Sequence, residues 1–509
     1  MYAGYSDAVD GHEDGTISPT RGLNTQSPLA GLAQNFAIKL DNFVCQPDAI
    51  VTRLGAADHA TGFATNPKTL MVYSSGTVTQ MFAANSSGIF NVSAPGAIGA
   101  AVIALTSGQG DSVNFATSAG QFLLFANGVD TAKLYDGATW TASTITGPAT
   151  STLFNAETYR ARLFLLQNNF LGFYYLPADS VAGVATAFRI GSVCRLGGFA
   201  VGQGTWTIDG GAGPDDYYVV ATSNGELTVY RGSDPAVVAN WVFIGTYFLG
   251  KPVGTNCFAK LGGDLLYFSE NGVIPLSTVM QSTNKNYVAA LTYNIQPSIS
   301  LAAVAARGQA GWKIHVIPRL SLVLLNIPQH GGVAQATQFV FNSYSKGWST
   351  FSGWDAADFI DFNNDTYYST GLKIVKCFTG FADFGANIVA VCDTSYNRFK
   401  TRRQLKPILV RALFASTNLV PYTIGIAQDF SGLYQENSYG LSPVSAGLWN
   451  SGLWNTSLWG GEFNLRKDWV TVAALGGLAL STRFKVSSNV AATLLLTIDY
   501  KFAPQGLVS

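Results

Sequence analysis

The sequence predicts an all-β protein built around a β-propeller, and three observations carry this prediction. Short β-rich runs recur along the chain with Asn-Gly or Asp-Gly turns between them. The chain contains 54 glycines and 13% aromatic residues, a composition typical of many strands and turns. Long helical periodicity is nearly absent, and only one helix is predicted, over 298–307, where Gly308 and Gly311 would end it.

The hairpins are predicted from their turns. Asn-Gly and Asp-Gly readily adopt positive φ at both central positions of a type I′ turn, the turn that joins tight hairpins. Such turns stand at Asn127-Gly128, Asp136-Gly137, Asn224-Gly225 and Asn271-Gly272. Further hairpins pair 162–166 with 170–175, 312–316 with 321–325, and 359–362 with 366–369.

The spacing of these units indicates a propeller. A tryptophan often follows the second strand of a unit, as at Trp140, Trp241 and Trp348. The units recur roughly every 40–50 residues, the spacing of four-stranded blades, and six blades is the best estimate. We assign 1–29 to an N-terminal arm, 30–400 to the propeller and 401–509 to a C-terminal β-rich domain.

Composition and charge exclude several classes. A chain of 509 residues predicts more than one folding unit. Its 30 basic and 30 acidic residues leave no net charge, which counts against a generic nucleic-acid binder and favours association with other subunits. The longest apolar stretch, 96–105, is too short to span a bilayer, and residues 1–10 have no signal-peptide pattern. The cysteines are odd in number and not spaced as Cys-x-x-Cys, so reduced, buried thiols are expected.

No enzyme signature is complete, so we predict no catalytic, cofactor-binding or metal residues. The stretch 245–251 has the glycine and lysine spacing of a phosphate-binding loop, but Pro252 stands where the Mg²⁺-binding Ser or Thr must lie. His12-Glu13 lacks the second histidine of a zinc helix. The other histidines are isolated in sequence: His59, His315 and His330.

Two further motifs have a structural and a functional interpretation. The acidic stretch 209–216 is either a turn whose Asp side chains accept backbone N–H groups, or a cation or paired-acid site. A pentad repeat places indoles at Trp449, Trp454 and Trp459. These indoles either are buried in the fold or in a contact between subunits, or they stack on sugars. We expect them to be buried anchors.

The order of several motifs resembles one family. Those motifs are Gly22-Leu23-Asn24-Thr25, Leu40-Asp41-Asn42-Phe43, Arg53-Leu54-Gly55, Trp206 to Gly211, Asn224-Gly225-Glu226, Val229 to Pro235, Gly250 to Gly254 and Asn271 to Leu276. Together they resemble the tail nozzle proteins of short-tailed bacteriophages, also called tail hub or packaged-DNA stabilisation proteins. The resemblance covers most of the chain.

The resemblance implies a structural role and no catalysis. Each subunit of that family carries a β-propeller beside a β-rich platform, and six subunits form a ring. The ring lies below the portal and head-to-tail adaptor, carries fibres or spikes, and gives the genome DNA its exit channel. The resemblance thus implies a virion protein made in the bacterial host cytoplasm, with no cofactor and no membrane segment.

Two functions of other classes stay open. One is a propeller that degrades glycans, and the other is a carbohydrate-binding protein. For the nozzle, we expect DNA to pass without being held. The basic residues Lys400, Arg402, Arg403 and Lys406 should then lie at a contact and be paired with carboxylates, since unopposed lumenal cations would bind phosphates.

Overall fold

The fold is known from a computed structural model that describes residues 13–209, 214–281, 290–306, 308–329, 335–400, 403–439, 464–472 and 476–504. Strands make up 53% of it and helices 7%, which confirms the all-β prediction. The described chain divides into two units. The first takes residues from the ranges 1–56, 340–351 and 378–509, and the second from 57–339 and 352–377.

The strands run through the whole described chain and are numbered in its order. The first fourteen are β1 (Glu13–Ile17), β2 (Ala37–Asp41), β3 (Phe43–Cys45), β4 (Ile50–Thr52), β5 (Ala56–Thr61), β6 (Thr69–Ser74), β7 (Thr79–Asn85), β8 (Gly88–Asn91), β9 (Gly96–Ala97), β10 (Asp111–Thr117), β11 (Gly120–Ala126), β12 (Lys133–Tyr135), β13 (Trp140–Ala142) and β14 (Ile145–Thr146). The next fourteen are β15 (Leu153–Tyr159), β16 (Arg162–Gln167), β17 (Gly172–Tyr175), β18 (Gly183–Val184), β19 (Thr186–Arg189), β20 (Ala200–Asp209), β21 (Pro214–Thr222), β22 (Glu226–Gly232), β23 (Trp241–Phe248), β24 (Phe258–Leu261), β25 (Asp264–Ser269), β26 (Gly272–Pro275), β27 (Lys313–Ile317) and β28 (Leu322–Ile327). The last fourteen are β29 (Thr337–Asn342), β30 (Trp348–Phe351), β31 (Asp358–Phe362), β32 (Asp365–Thr370), β33 (Lys373–Cys377), β34 (Ala382–Asp383), β35 (Ala386–Thr394), β36 (Leu405–Ser416), β37 (Tyr422–Gln428), β38 (Gln435–Tyr439), β39 (Asn464–Arg466), β40 (Val470–Thr471), β41 (Leu480–Ser488) and β42 (Thr493–Pro504).

Two α-helices interrupt the strands in the described part of the second unit. They are α1 (Leu276–Gln281) and α2 (Gln296–Ala305). The helix α2 confirms the prediction over 298–307, starting two residues earlier because Pro297 is tolerated in a first helical turn. Gly308 and Gly311 follow it with φ of 77° and 108°.

The second unit is a β-propeller. In its described residues the blades are seven sheets: β6–β8, β10–β13, β15 to β17 with β19, β20–β23, β24–β26, β27 and β28 with the start of β29, and β31–β33 with β5. Their first strands pack in the order β6, β10, β15, β20, β24, β27, β31 and back to β6, which closes a ring. The estimate of six blades was therefore wrong by one.

The seventh blade explains the error. Three of its strands, β31 to β33, lie at the end of the second unit, and β5 from its beginning completes the sheet. The ring is thus closed by strand pairing between segments about 300 residues apart, which a search for repeats along the chain does not detect. The fifth blade also has only three strands and is followed by helices, which lengthens the period there.

Apolar side chains between neighbouring blades form the core of the propeller. One cluster joins the first two blades through Phe82, Phe125 and Trp140. Another joins the third and fourth through Phe164, Tyr218 and Trp241, whose rings lie within 4.5–6.0 Å of each other. Trp140 and Trp241 thus pack between neighbouring sheets, as inward-facing residues of stacked sheets must. Trp348, which the sequence analysis took as the mark of a further propeller unit, lies on β30 in the first unit and not in the propeller.

The turn glycines have the predicted left-handed conformation. Gly128, Gly137, Gly225 and Gly272 have φ of 71°, 97°, 89° and 97°. The residue before each glycine does not have a positive φ. The turns are therefore not the type I′ turns that the sequence predicts, which need positive φ at both central residues. That conformation occurs instead at Asn363-Asn364, with φ of 49° and 65°, between β31 and β32.

Replacing Gly225 by alanine is expected to destabilise the propeller by about 2 kcal/mol or more, because φ is positive and a Cβ would lie 2.7 Å from the Gly250 carbonyl carbon. Equilibrium urea unfolding measures the loss. Gly99→Ala is the matched control. That exposed glycine has no positive φ and no atom within 4 Å of the added Cβ, so a change within about 0.5 kcal/mol is expected. Equal losses in both variants would contradict the explanation.

The first unit is a β-sandwich assembled from both ends of the chain. One sheet has the order β3-β4-β42-β36-β39, with β1 on β42 and β40 on β36. The other contains β2, β35, β41, β37 and β38. The Tyr500 hydroxyl donates to Thr482 Oγ1 across the two sheets at 2.7 Å, and Phe414 packs on Phe484. The segments 37–52, 340–351 and 382–394, assigned by sequence to the propeller range 30–400, belong to this first unit.

Candidate functional site

Five polar side chains of the propeller lie on the first strands of four blades, which pack around the centre of the ring. We call Asp111, Asn155, Glu157, Lys313 and Asp358 the axial cluster. A recess of about 250 Å³ opens beside it, lined by residues that lead into these strands, among them Lys68, Gln109, Gly110, Asn256, Lys313 and Asp358. Because the first strands of a propeller converge on one axis, residues distant in sequence meet here.

Lys313 and Asp358 form the ion pair of the cluster. The Lys313 Nζ donates to Asp358 Oδ1 at 2.6 Å and to the Phe359 carbonyl at 2.8 Å. The second carboxylate oxygen accepts from the Leu70 backbone N–H at 2.8 Å. Asp358 is 5% exposed, so its charge is compensated by a cation and hydrogen bonds, as a buried charge requires.

Asp111 has hydrogen bonds but no ion pair among the described residues. Its Oδ2 accepts from the Asn155 side-chain Nδ2 at 2.8 Å and from the Ala156 backbone N–H at 3.3 Å. Asn155 is 5% exposed, and its Oδ1 has no hydrogen-bond partner in the described structure. Because the two amide atoms belong to one planar group, this unsatisfied acceptor lies beside the Asp111 carboxyl.

Glu157 lies two residues after Asn155 on β15 and therefore on the same face of that strand. Its Oε1 accepts from the Thr205 hydroxyl at 3.3 Å. The Lys260 Nζ donates to the same hydroxyl at 2.8 Å. Thr205 thus stands between the ammonium and the carboxyl, so Glu157 has a nearby cation without a direct ion pair.

The enclosure of these two acids raises their pKa values. Desolvation raises the pKa of Asp111 to about 6, against hydrogen bonds from Ala156 and Ser112 and the charge of Lys313, which lower it. Desolvation also raises the pKa of Glu157 to about 7, opposed by Lys260 and increased by Asp111. Both side chains are half-buried. Acids with perturbed pKa values near a recess are candidates for function.

The cluster offers acid–base chemistry and oxygen ligands. A carboxyl with a pKa near 7 is suited to general acid or base catalysis. Carboxylate, amide and hydroxyl oxygens are also the ligands of hard cations. No group of three or more His, Cys, Asp or Glu side chains is placed to hold a metal within the described ranges, so a cation here would need Asn155 or Thr205 as well.

The motifs considered in the sequence lie apart from this cluster. The phosphate-loop-like stretch 245–251 begins inside β23, where Gly245 pairs with Val229. Its first four residues are therefore strand rather than a loop around a phosphate. Asp136 accepts from the backbone N–H groups of Ala138 and Thr139, as a turn residue does. Of the acidic stretch 209–216, residues 210–213 lie outside the described structure, and Asp216 pairs with Arg160 Nε at 2.6 Å.

The histidines and cysteines have structural contacts. His59 is buried and its Nε2 lies 2.8 Å from the Val92 carbonyl oxygen, while His315 Nε2 lies 3.1 Å from Asp361 Oδ1. His12 and His330 lie outside the described residues. None of the five cysteines forms a disulfide within the described residues, and all except Cys194 are buried.

Two sequence predictions are not decided here. Trp449, Trp454 and Trp459 lie outside the described residues, and so does Arg402. Lys400 and Lys406 are exposed and form no ion pair with the described part of the chain, so any carboxylate partner would come from elsewhere. The described helices include none long and apolar enough to cross a membrane.

Sequence reasoning missed the axial cluster. Its members are scattered over 250 residues, and each is a single polar residue near the start of a β-rich run. The available signal was positional: Asp111, Lys313 and Asp358 are each the first residue of the first strand of a blade. To use this signal, one must know where each blade begins. The sequence repeat is too irregular to show that.

Comparison with known proteins adds no family. No family model matches the chain, and no curated protein matches it. Among solved structures, BBS1N in complex with ARL6DN is 10% identical, with a TM-score of 0.38 over 65% of this chain and 100% of that one. YCF48 bound to D1 peptide is 9% identical, with a TM-score of 0.38 over 67% of this chain and 98% of that one. A glycoside hydrolase family 43 arabinoxylan arabinofuranohydrolase from Bacillus subtilis is 10% identical, with a TM-score of 0.26 over 96% and 99%.

Similarities this weak say nothing about the activity of the chain. The fold class is defined by the strand order of the chain itself. One unit is a seven-bladed β-propeller, and the other is a β-sandwich.

Proposed function

We propose that the chain is a structural virion protein, a subunit of the hexameric tail nozzle of a short-tailed bacteriophage. The observation that carries the proposal is the architecture. The family that the sequence resembles has a propeller beside a β-rich platform, and this chain has a propeller unit and a separate β-sandwich unit. The ring would lie below the portal and adaptor, hold fibres or spikes, and let the genome pass.

The residues in the motifs that resemble the nozzle family support the proposal, because their contacts stabilise the fold. Gly225 and Gly250 form a close backbone contact between turns of the fourth and fifth blades. Arg53 is buried in the sandwich in an ion pair with Asp383, and Leu40 and Phe43 are fully buried beside it. Motifs that build both units are expected in a family defined by its architecture rather than by a reaction.

An exposed apolar edge of the propeller supports assembly with other subunits. The strand β23 is the outermost of its blade. Val242 and Phe243 on it are 45% and 41% exposed, and Val238 just before it is 90% exposed. Edge strands with apolar side chains attract further strands or surfaces unless covered. We place a contact between neighbouring subunits here.

Assembly gives the direct test. Six copies of the 54.0 kDa chain give a ring of about 324 kDa, and native mass spectrometry of the complex with the adaptor should show this mass added to that of the adaptor alone. Phe243→Glu should abolish the ring while leaving the unfolding midpoint of the free chain unchanged, because the side chain is exposed. Val129→Glu is the matched control, since Val129 is exposed on another blade and its loss should not affect assembly. A stable monomer in assembled tails would refute the proposal.

DNA passage is tested separately. Binding of duplex DNA to the ring is measured over a salt series, with variants that neutralise Lys400, Arg402, Arg403 and Lys406. A passive channel should bind DNA weakly near physiological salt. Tight binding with a steep salt dependence that is lost in the neutralised variant would indicate a ring that grips the genome instead.

Glycan hydrolysis is the second candidate function, and the raised pKa values of Asp111 and Glu157 favour it. Glycosidases commonly use a pair of carboxyl groups, one of them with a raised pKa. The test is hydrolysis of host surface polysaccharide by the wild-type chain and by Glu157→Gln. Turnover that Glu157→Gln abolishes would establish an enzyme, and absence of turnover would leave the structural role.

A further inference from the structure

The axial cluster contains a buried acceptor that the protein itself does not satisfy. Asn155 Oδ1 is shielded from solvent and has no donor among the described residues, although the same amide donates through Nδ2 to Asp111. Burying a polar atom without a hydrogen-bond partner destabilises the folded state. A buried acceptor of this kind, placed among polar groups, is suited to accept from a water molecule or to bind an ion.

Charge compensation at the cluster is also incomplete. Lys313 is engaged by Asp358, and Lys260 reaches Glu157 only through the Thr205 hydroxyl. Asp111 has donors but no ion pair in the described chain. The carboxylates are those of Asp111, Glu157 and Asp358, and the ammonium groups in contact with this region are those of Lys260 and Lys313. With these five side chains ionised, one negative charge stays uncompensated.

We propose that Asp111, Asn155 and Glu157 bind a hard divalent cation inside the propeller, with Ca²⁺ as the first probe. The ligands are oxygens alone: two carboxylates and the unpartnered amide Oδ1. Ca²⁺ accepts such mixed oxygen sets with flexible geometry, whereas Mg²⁺ requires a near-ideal octahedron. The cation would satisfy Asn155 Oδ1, compensate Asp111 and link β10 to β15, the first strands of the second and third blades.

A bound cation also changes the chemistry of the two acids. It favours their ionised forms, because an opposite charge nearby lowers the pKa of a carboxyl. Glu157 would then lack the proton that a glycosidase acid must donate. The cation site and the hydrolase are therefore competing interpretations of the same residues, and the proposal does not depend on the nozzle function.

The test is thermal unfolding of the full-length, chelator-treated protein at pH 7.5 with increasing Ca²⁺, and separately with Mg²⁺. Ca²⁺ at about 100 times its dissociation constant should raise the unfolding midpoint of the propeller by roughly 5 °C. Asp111→Asn and Glu157→Gln should each raise the half-saturating Ca²⁺ concentration at least about tenfold. Asp136→Asn, which changes a turn carboxylate of the same blade as Asp111, should respond like the wild type.

One further variant is expected to respond to Ca²⁺ more strongly than the wild type. A larger response cannot be explained by a failure of the variant to fold. Asn155→Asp keeps the size of the side chain but adds a charge and removes the donor to Asp111. It should be less stable than the wild type in chelator, and Ca²⁺ should shift its midpoint further than it shifts that of the wild type. Isothermal titration of the wild type gives the stoichiometry, expected to be one. Absence of any shift with either cation, or equal shifts in all variants, would overturn the proposal.

Discussion

Replacing Arg53 by alanine is expected to lower the free energy of unfolding by about 3–5 kcal/mol, because it leaves a partly buried carboxylate without its cation. The Arg53 side chain is 1% exposed and that of Asp383 is 16% exposed. The guanidinium donates to both carboxylate oxygens of Asp383, at 3.0 and 2.5 Å. Its Nε donates to Asn42 Oδ1 at 2.7 Å. One residue therefore links three segments of the sandwich.

Urea unfolding of Arg53→Ala measures the loss, and Lys373→Ala is its control. Lys373 pairs with Asp58 in the propeller, with side chains 30% and 48% exposed. Such surface pairs contribute about 0–1 kcal/mol. A double replacement, Arg53→Met with Asp383→Leu, should recover much of the loss, because two apolar side chains leave no buried charge. A loss below about 1 kcal/mol for Arg53→Ala would contradict the role assigned to this pair.

The Arg53 pair shows which part of the fold the sequence can predict. The motif Arg53-Leu54-Gly55 is visible in the sequence, but Asp383 is 330 residues away. Gly55 likewise packs where a Cβ would lie 2.0 Å from the Ala382 carbonyl oxygen. Such long-range pairing depends on how the two ends of the chain meet, and no local pattern encodes it.

Local structure was predictable because its causes are local. Gly225 and Gly272 adopt positive φ at the predicted turns, and Trp140 and Trp241 pack between blades. The number of blades was not predictable from these signals, since β5 completes a sheet whose other strands lie near the far end of the unit. The axial cluster could not be predicted for the same reason. Asp111, Lys313 and Asp358 become neighbours only once the ring is closed.

Glu157→Gln is expected to make the cation-free propeller more stable at pH 8, by about 2 kcal/mol. Desolvation raises the pKa of Glu157 to about 7 in the folded chain, against about 4.3 for an unperturbed glutamate. The folded state therefore binds the proton more tightly than the unfolded state. This contribution to stability is fully present below pH 4 and is lost as the pH rises through 7. Glutamine has no charge to desolvate and avoids that loss.

The measurement is urea unfolding in chelator at pH 5, 6.5 and 8. The wild type should lose stability over this range relative to Glu157→Gln, and the difference between the two should be smallest at pH 5, the value nearest the pKa of the unfolded glutamate. Asp136→Asn supplies a control of opposite sign. Backbone N–H groups of Thr139 and Ala138 lower the pKa of Asp136, so its contribution to stability is present above the unfolded pKa and is lost as the pH falls.

A Glu157→Gln variant that is less stable than the wild type at pH 8 would mean that ionised Glu157 is better compensated by Lys260 than the indirect contact through Thr205 implies. With Ca²⁺ restored, the advantage of Glu157→Gln should disappear, because the cation would then compensate the same charge.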